Sequence, residues 1–231
     1  MPPPVALRRA APPQRSLADL AERSAAFEAS PPGEIVAWSA TTFGDGLVVT
    51  ASFEDAVLID VVARHAAGTE IVLLDTGYLF AETLWYAEQL RRRYDLLVTL
   101  VRPVAPEPDQ WQYDSEGCCA ARKVEPLERA LAGRAAWVTG IRRADGPTRA
   151  TAPIVSRDLG RDLIKINPLA TMTDAGLAAY QQRHDLPRHP LADRGYPSIG
   201  CWPCTRPVGP GEDRRAGRWA GQAKTECGLH R

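Results

Sequence analysis

Short runs of consecutive apolar residues recur along the first two thirds of this chain, and the stretches between them carry apolar positions at helical spacing. Residues 47–51, 70–75, 96–101, 136–139 and 163–166 read as strands: brief, rich in Val, Ile and Leu, and bounded by Gly, Asp or Thr. Between and after them, residues 54–65, 81–94, 125–131 and 174–183 read as helices, with Leu84, Ala87 and Leu90 on one face of the second. Ahead of the first strand, Ser16 is placed to cap a helix running to about Ala29, and residues 34–43 predict another that ends before Gly44-Asp45-Gly46. Uniformly apolar strands alternating with amphipathic helices predict an α/β fold, a mostly parallel sheet with helices on both faces. From Leu186 the pattern dissolves into a Pro-, Gly- and Arg-rich stretch expected to drape over the sheet edge. The expected division is a disordered extension over 1–15, an α/β body over 16–204 and an irregular, mobile tail over 205–231.

Bulk composition narrows the function classes. The chain has 231 residues, and its 28 basic side chains balance 28 acidic ones, so the basic excess of a polynucleotide-binding protein is missing. There is no apolar run long enough to span a bilayer. The start carries Arg8 and Arg9 but then prolines where a secretory signal needs an apolar stretch. Five cysteines is an odd number, two of them are adjacent, and a chain of this size does not need disulfide staples. Those features predict a reducing cytoplasmic setting with metal-bound or catalytic thiols. Oligomeric state is left open, a homo-oligomer included.

The cysteines carry the chemistry. Cys118–Cys119 and Cys201-Trp-Pro-Cys204 form two tight clusters. An isolated cysteine is most often a small buried hydrophobe, but four thiolates in two clusters suit zinc or an iron–sulfur cluster. Adjacent ligands reach two irons of a larger cluster more readily than they close on one small tetrahedral ion, which places iron–sulfur ahead of zinc. Cys227 stands apart, four residues from the end in Lys224-Thr-Glu-Cys-Gly-Leu-His230. A thiol there is either incidental or a nucleophile, and a nucleophile needs nearby positive charge to be thiolate at neutral pH. Lys224, His230, Arg215 and Arg218 are the cations at hand.

Strand ends supply candidate anion contacts. The turn containing Ala51-Ser52-Phe53-Glu54-Asp55 opens a helix, and Leu74-Asp75-Thr76-Gly77 ends the next strand. Both would lie at the carboxyl edge of a parallel sheet, where ligands bind. Lys123 follows the cysteine pair by one turn, while Gly140-Ile-Arg-Arg143 and Arg149 follow a strand end. Guanidinium groups gathered at strand ends suit a phosphate or sulfate.

Taken together, Cys118-Cys119-Ala-Ala-Arg-Lys-Val-Glu-Pro-Leu127, Gly140-Ile-Arg-Arg143, Cys201-Trp-Pro-Cys204, Arg215-Ala-Gly-Arg218-Trp219 and Glu226-Cys-Gly-Leu-His230 resemble the assimilatory sulfonucleotide reductases. Within them the likeness is to the adenylyl-sulfate (APS) reductases that carry a [4Fe–4S] cluster, and it runs from about residue 34 to the end. The resemblance implies an adenine-nucleotide α-hydrolase-like fold. It implies Cys118, Cys119, Cys201 and Cys204 as cluster ligands and Cys227 as the nucleophile that takes sulfonate from APS. Thioredoxin or a similar dithiol would then release sulfite. It also implies Lys123, Arg142, Arg149, Arg215 and Arg218 as phosphosulfate contacts, with Ser52 in the phosphate loop and Leu74 beside adenine and ribose.

The chain departs from the pyrophosphate-gripping Ser-Gly-Gly-x-Asp-Ser loop of related enzymes, having Ala51-Ser52-Phe53-Glu54-Asp55-Ala56 in its place, so both glycines are gone. That argues against an ATP-pyrophosphatase-type adenylating enzyme. Two further alternatives stand beside the APS reading: a reductase of the 3′-phosphorylated nucleotide PAPS, an activity that in the family usually goes without the cysteine pairs, and a zinc-bound interaction module.

Overall fold

A computed structural model describes residues 16–230, so the extension expected over 1–15 lies outside the described residues. Helix α1 (Leu17–Ala26) opens with the expected cap: Ser16 Oγ accepts from the Asp19 amide, and the Asp19 carboxylate returns a bond to the Ser16 amide. Helix α2 (Pro32–Phe43) starts on a proline, whose missing N–H is no loss in a first turn. Then come β1 (Leu47–Thr50), α3 (Val57–His65), β2 (Ile71–Leu74), α4 (Ala81–Tyr94) and β3 (Val98–Val101). After α5 (Ser115–Cys119) and α6 (Glu125–Leu131) follow β4 (Ala136–Thr139), β5 (Val155–Asp158), β6 (Leu163–Ile166) and α7 (Asp174–Arg183).

The six strands form one sheet in the order β3-β2-β1-β4-β6-β5. All neighbours are parallel except β5, which pairs antiparallel to β6 through Val155↔Ile166 and Asp158↔Leu163. The mostly parallel sheet is as expected, whereas β5 has no signal in the sequence. An edge strand reading Val-Ser-Arg-Asp buries only its two end residues and so lacks an apolar run.

Successive strand residues point to opposite faces and thereby divide the core. Leu47, Val49, Ile71, Leu73, Ala136 and Val138 face a large cluster built with α1, α2, α3, α4 and α7. Val48, Val72, Trp137 and Leu163 face a smaller one, closed by Leu127 and Leu131 of α6 and by Leu229 from the C-terminal segment. The stretch expected to drape over the sheet edge therefore reaches the face of the central strands instead.

Two local departures shape the cleft. The helix expected from Glu54 begins at Val57, because Asp55 Oδ1 accepts the Val57 amide (2.8 Å) and Phe53 has φ +55°. Phe53 occupies the place of the second glycine in the related loop and keeps a left-handed backbone. Its ring is 1% exposed, and burial of that ring is what holds so unfavourable a conformation for a non-glycine residue. The second departure is a π-helical turn, Ala120–Val124, joining α5 to α6. Pro126 cannot donate to the carbonyl four residues back, which loosens the helix there and favours the wider turn. Among the described residues no helix is long and apolar enough to cross a membrane.

Candidate active site

A cavity of about 210 Å³ opens at the carboxyl ends of the parallel strands. It lies where the strand order reverses between β1 and β4, the crevice at which open α/β sheets bind ligands. Ser52, exposed, and Leu74, half-buried, both line it as expected. Asp55 sits beside them; burial pushes its carboxyl up, against the Val57 amide, and leaves it at about 6. Lys123, Arg142, Arg149, Arg215, Arg218 and Cys227 line the same cavity. The structure thus brings these sequence-predicted residues to one cavity.

The surroundings of these residues differ. Arg142 is 3% exposed and donates to both Asp145 and Asp174 at 2.8 Å. Arg149 forks onto Glu226 (2.8 and 2.7 Å) and reaches Asp145 at 3.3 Å. Arg215 lies 3.6 Å from Glu226 and donates to the Thr225 carbonyl. Lys123 and Arg218, by contrast, have no carboxylate partner among the described residues, and Arg218 Nε is buried without a hydrogen bond. A half-buried cation without a carboxylate partner suits an anion, which would replace the hydration it has lost. Gly200 makes the room: a Cβ there would collide with the Arg218 guanidinium.

Cys227 stands next to these two cations. Burial pushes its thiol up, but Lys123, the Leu229 amide and Arg218 pull it down against Glu226, and the net shift is below the ordinary thiol value. Lys123 moves the opposite way: burial would lower it, yet Cys201 and Cys227 raise it overall, so it stays charged. A thiol lowered beside a cation has the chemistry a nucleophile needs.

The other four cysteines meet in an adjoining small cavity lined by Cys118, Cys119, Cys201 and Cys204. Cys118 and Cys119 close α5, whose first turn is capped by Asp114 accepting from the Gly117 amide (2.8 Å). The 201–204 loop is stitched against them through residues 76–79: Leu79 pairs with Cys201, Trp202 N donates to the Tyr78 carbonyl (2.8 Å), and Thr76 Oγ1 lies 3.3 Å from Cys201 Sγ. Burial pushes the Cys118, Cys119 and Cys204 thiols up, the last to about 11. Such thiols are poor nucleophiles, but deprotonate on binding metal. Among the described residues no three His, Cys, Asp or Glu side chains gather closely enough for a single metal ion. Four soft sulfur donors around one cavity are of the kind that hold zinc or an iron–sulfur group. Lys123, Cys201 and Trp219 line both cavities and form the wall between them.

Sequence reasoning missed several residues here. Arg122 is buried and donates to the carbonyls of Thr76 (2.9 Å) and Glu107 (2.8 Å) while lying over the Tyr78 ring, which fixes the cysteine helix to the neighbouring loop. Its place one turn after Cys118 was the available signal. Asp145 and Glu226, which neutralise Arg142 and Arg149, gave no signal, since a pairing between distant residues leaves no local pattern. His230 stacks on Trp137 (centroids 5.5 Å apart) instead of facing Cys227 as a cation, and burial holds it well below the usual imidazole range. Lys224 reaches Glu116 (3.1 Å) and the Ser115 carbonyl (3.0 Å) on α5.

Residues 46–207 match the model of the phosphoadenosine phosphosulfate reductase domain. The chain belongs to this family. Within it, relatives from Mycobacteroides abscessus (46% identical) and Rhodococcus opacus (43%), each aligned over 93% of this chain and 94% of their own, are named adenosine 5′-phosphosulfate reductase. Among solved structures, phosphoadenylyl-sulfate reductase from Candida auris superposes with a TM-score of 0.74 at 24% identity, covering 83% of this chain and 98% of that one. FMN adenylyltransferase from Candida glabrata superposes at 0.56 and 14% identity, over 83% and 75%. These structural likenesses speak for the fold alone.

Proposed function

We propose that this chain reduces adenosine 5′-phosphosulfate to sulfite and AMP, with Cys227 as nucleophile and a dithiol protein of the thioredoxin kind as reductant. The observation that carries this reading is the placement of Cys227, its thiol lowered, against the two cavity cations that no carboxylate of the described residues neutralises. The names of the relatives at 43–46% identity support the 5′-phosphosulfate as substrate.

The Cys227 thiolate attacks the sulfur of the sulfonate. A sulfur–sulfur bond forms, the bond from that sulfur to the bridging oxygen breaks, and AMP leaves with the electron pair on its phosphate. Lys123 and Arg218 hold the sulfonate oxygens and offset the charge gathering on the departing phosphate. The product is an S-sulfocysteine. One thiolate of the reductant then attacks Cys227 Sγ and expels sulfite, and its second thiol resolves the mixed disulfide. Two electrons pass from the dithiol to sulfur, and Cys227 returns as thiol. With the other four cysteines taken as cluster ligands, Cys227 has no partner for an internal disulfide, and the reductant must come from outside. Release requires the segment carrying Cys227 to leave the cleft.

Cys118, Cys119, Cys201 and Cys204 would hold a [4Fe–4S] cluster. When bound, that group supplies a rigid cross-link and a fixed charge beside Lys123 rather than electrons for the reaction. Iron and sulfide content with absorbance near about 400 nm tests its identity; a colourless zinc protein would refute it.

Incubation with the nucleotide and no reductant should leave an adduct of about 80 Da on Cys227 by mass spectrometry, the mass of a sulfonate held covalently. Absence of the adduct in wild type overturns the covalent step. Rates with APS and with PAPS, compared directly, test the choice of nucleotide.

A further inference from the structure

Glu226 immediately precedes the nucleophile, and both of its carboxylate oxygens are held. Oε1 accepts from Arg149 Nε (2.8 Å) and Thr148 Oγ1 (3.0 Å), and Oε2 accepts from Arg149 Nη2 (2.7 Å), with Arg215 Nη2 at 3.6 Å. The Arg149 side chain is 15% exposed and that of Glu226 23%, so the pair is largely out of water. A forked guanidinium–carboxylate pair of this kind fixes direction as well as distance. Arg149 is itself set by Asp145 (3.3 Å), and Arg215 by its bond to the Thr225 carbonyl (3.1 Å). Two residues before Glu226, at Lys224, the tail is pinned again, to the cysteine helix through Glu116 and Ser115. After Cys227 it is pinned by Leu229 against the sheet and His230 on Trp137.

Anchors on both sides leave Cys227 little freedom, and the strongest of them is its neighbour. We propose that Glu226 is the positioning residue of the nucleophile: clamped by Arg149 and Arg215, it holds Cys227 against Lys123 and Arg218, and opening this clamp is the step that presents the thiol to the reductant. The proposal rests on Cys227 being the nucleophile. It also reassigns two residues. With the tail seated, Arg149 and Arg215 serve the tail, and the sulfonate meets Lys123 and Arg218.

The clamp can be read without substrate, on the protein as it is isolated. The first measurement is alkylation of Cys227 by iodoacetamide, followed on the C-terminal peptide at several pH values so that the limiting rate separates access from ionisation. The second is tryptic cleavage after Lys224. Glu226→Gln should raise the limiting alkylation rate and the cleavage rate on the order of tenfold, the equilibrium shift expected for losing one charge-assisted fork. Exchanging the partners, Glu226→Arg with Arg149→Glu, should bring both back toward wild type. With nucleotide present, Glu226→Gln should slow single-turnover adduct formation while equilibrium affinity for AMP stays unchanged. Alkylation and cleavage that do not respond to Glu226→Gln overturn the clamp. A fall in AMP affinity with both rates unchanged overturns it too, by returning Arg149 to the nucleotide site. If wild type forms no adduct although the clamp behaves as described, the nucleophile reading falls and the latch remains.

Discussion

The two faces of the sheet are covered in different ways. On one, five helices close over strand residues such as Val49, Ile71 and Val138, all at most 2% exposed. On the other, Val48, Val72 and Trp137 are closed by a single helix, α6, and by Leu229 and His230 of the tail. Burial is as complete on the second face as on the first: Val48 and Trp137 are 0% exposed. The difference lies in what does the covering. A segment with no secondary structure of its own can leave a surface by releasing side-chain contacts one after another, whereas a packed helix must leave as a unit. On the proposed reading, the thin face is therefore where the segment carrying Cys227 can dock and leave, with the sheet's hydrophobic surface as its resting place.

This comparison can be broken in four ways. Trp137→Ala should cost about 3–5 kcal/mol in urea or thermal unfolding, as removal of a large buried ring does, and should also speed tryptic cleavage after Lys224. Leu90→Ala, on the thick face and 0% exposed, should cost about 2–5 kcal/mol but leave that cleavage unchanged. Equal cleavage in the two variants would erase the distinction between the faces.

The third test is pH. His189, 2% exposed, lies against Thr83 Oγ1 (3.0 Å) and accepts the Leu191 amide at Nδ1 (3.1 Å), so it is held neutral. Burial lowers it from 6.5 to about 4. The unfolded chain then binds the extra proton first as pH falls. Stability is fully present above the unfolded value, near 6.5, and is lost as pH drops from there to about 4. The loss should be about 2–3 kcal/mol, and His189→Gln should flatten the profile over that window. The smallest effect belongs to Leu229→Ala, a half-buried contact: about 1 kcal/mol or less in unfolding, read instead as faster alkylation of Cys227.

Much of this was legible in the chain. Strands β1, β2 and β4 follow from apolar runs, because a strand buried on both faces has no polar position to interrupt it, and in β6 Lys165 alone breaks the run. β5 and α5 were not legible: the first is an edge strand ending in Arg157 and Asp158, and the second is a single short turn built around Gly117 and two cysteines. The site residues were legible as residue types in order, but their electrostatic state was not. Nothing near Arg149 in sequence says that Glu226 will neutralise it, or that Arg142 will be shared by Asp145 and Asp174.

The sequence by itself determined the sheet-and-helix alternation, the family, and the separation of four clustered cysteines from a fifth near the end. These are properties of short segments, written in periodicity and local spacing. Only the tertiary structure decided which cations are spent on carboxylates and which face the cavity, and that the tail folds back onto Trp137 with Cys227 beside Lys123 and Arg218. Charge pairing and burial depend on distances between residues far apart in the chain, and those distances exist only once the sheet has brought its strand ends together.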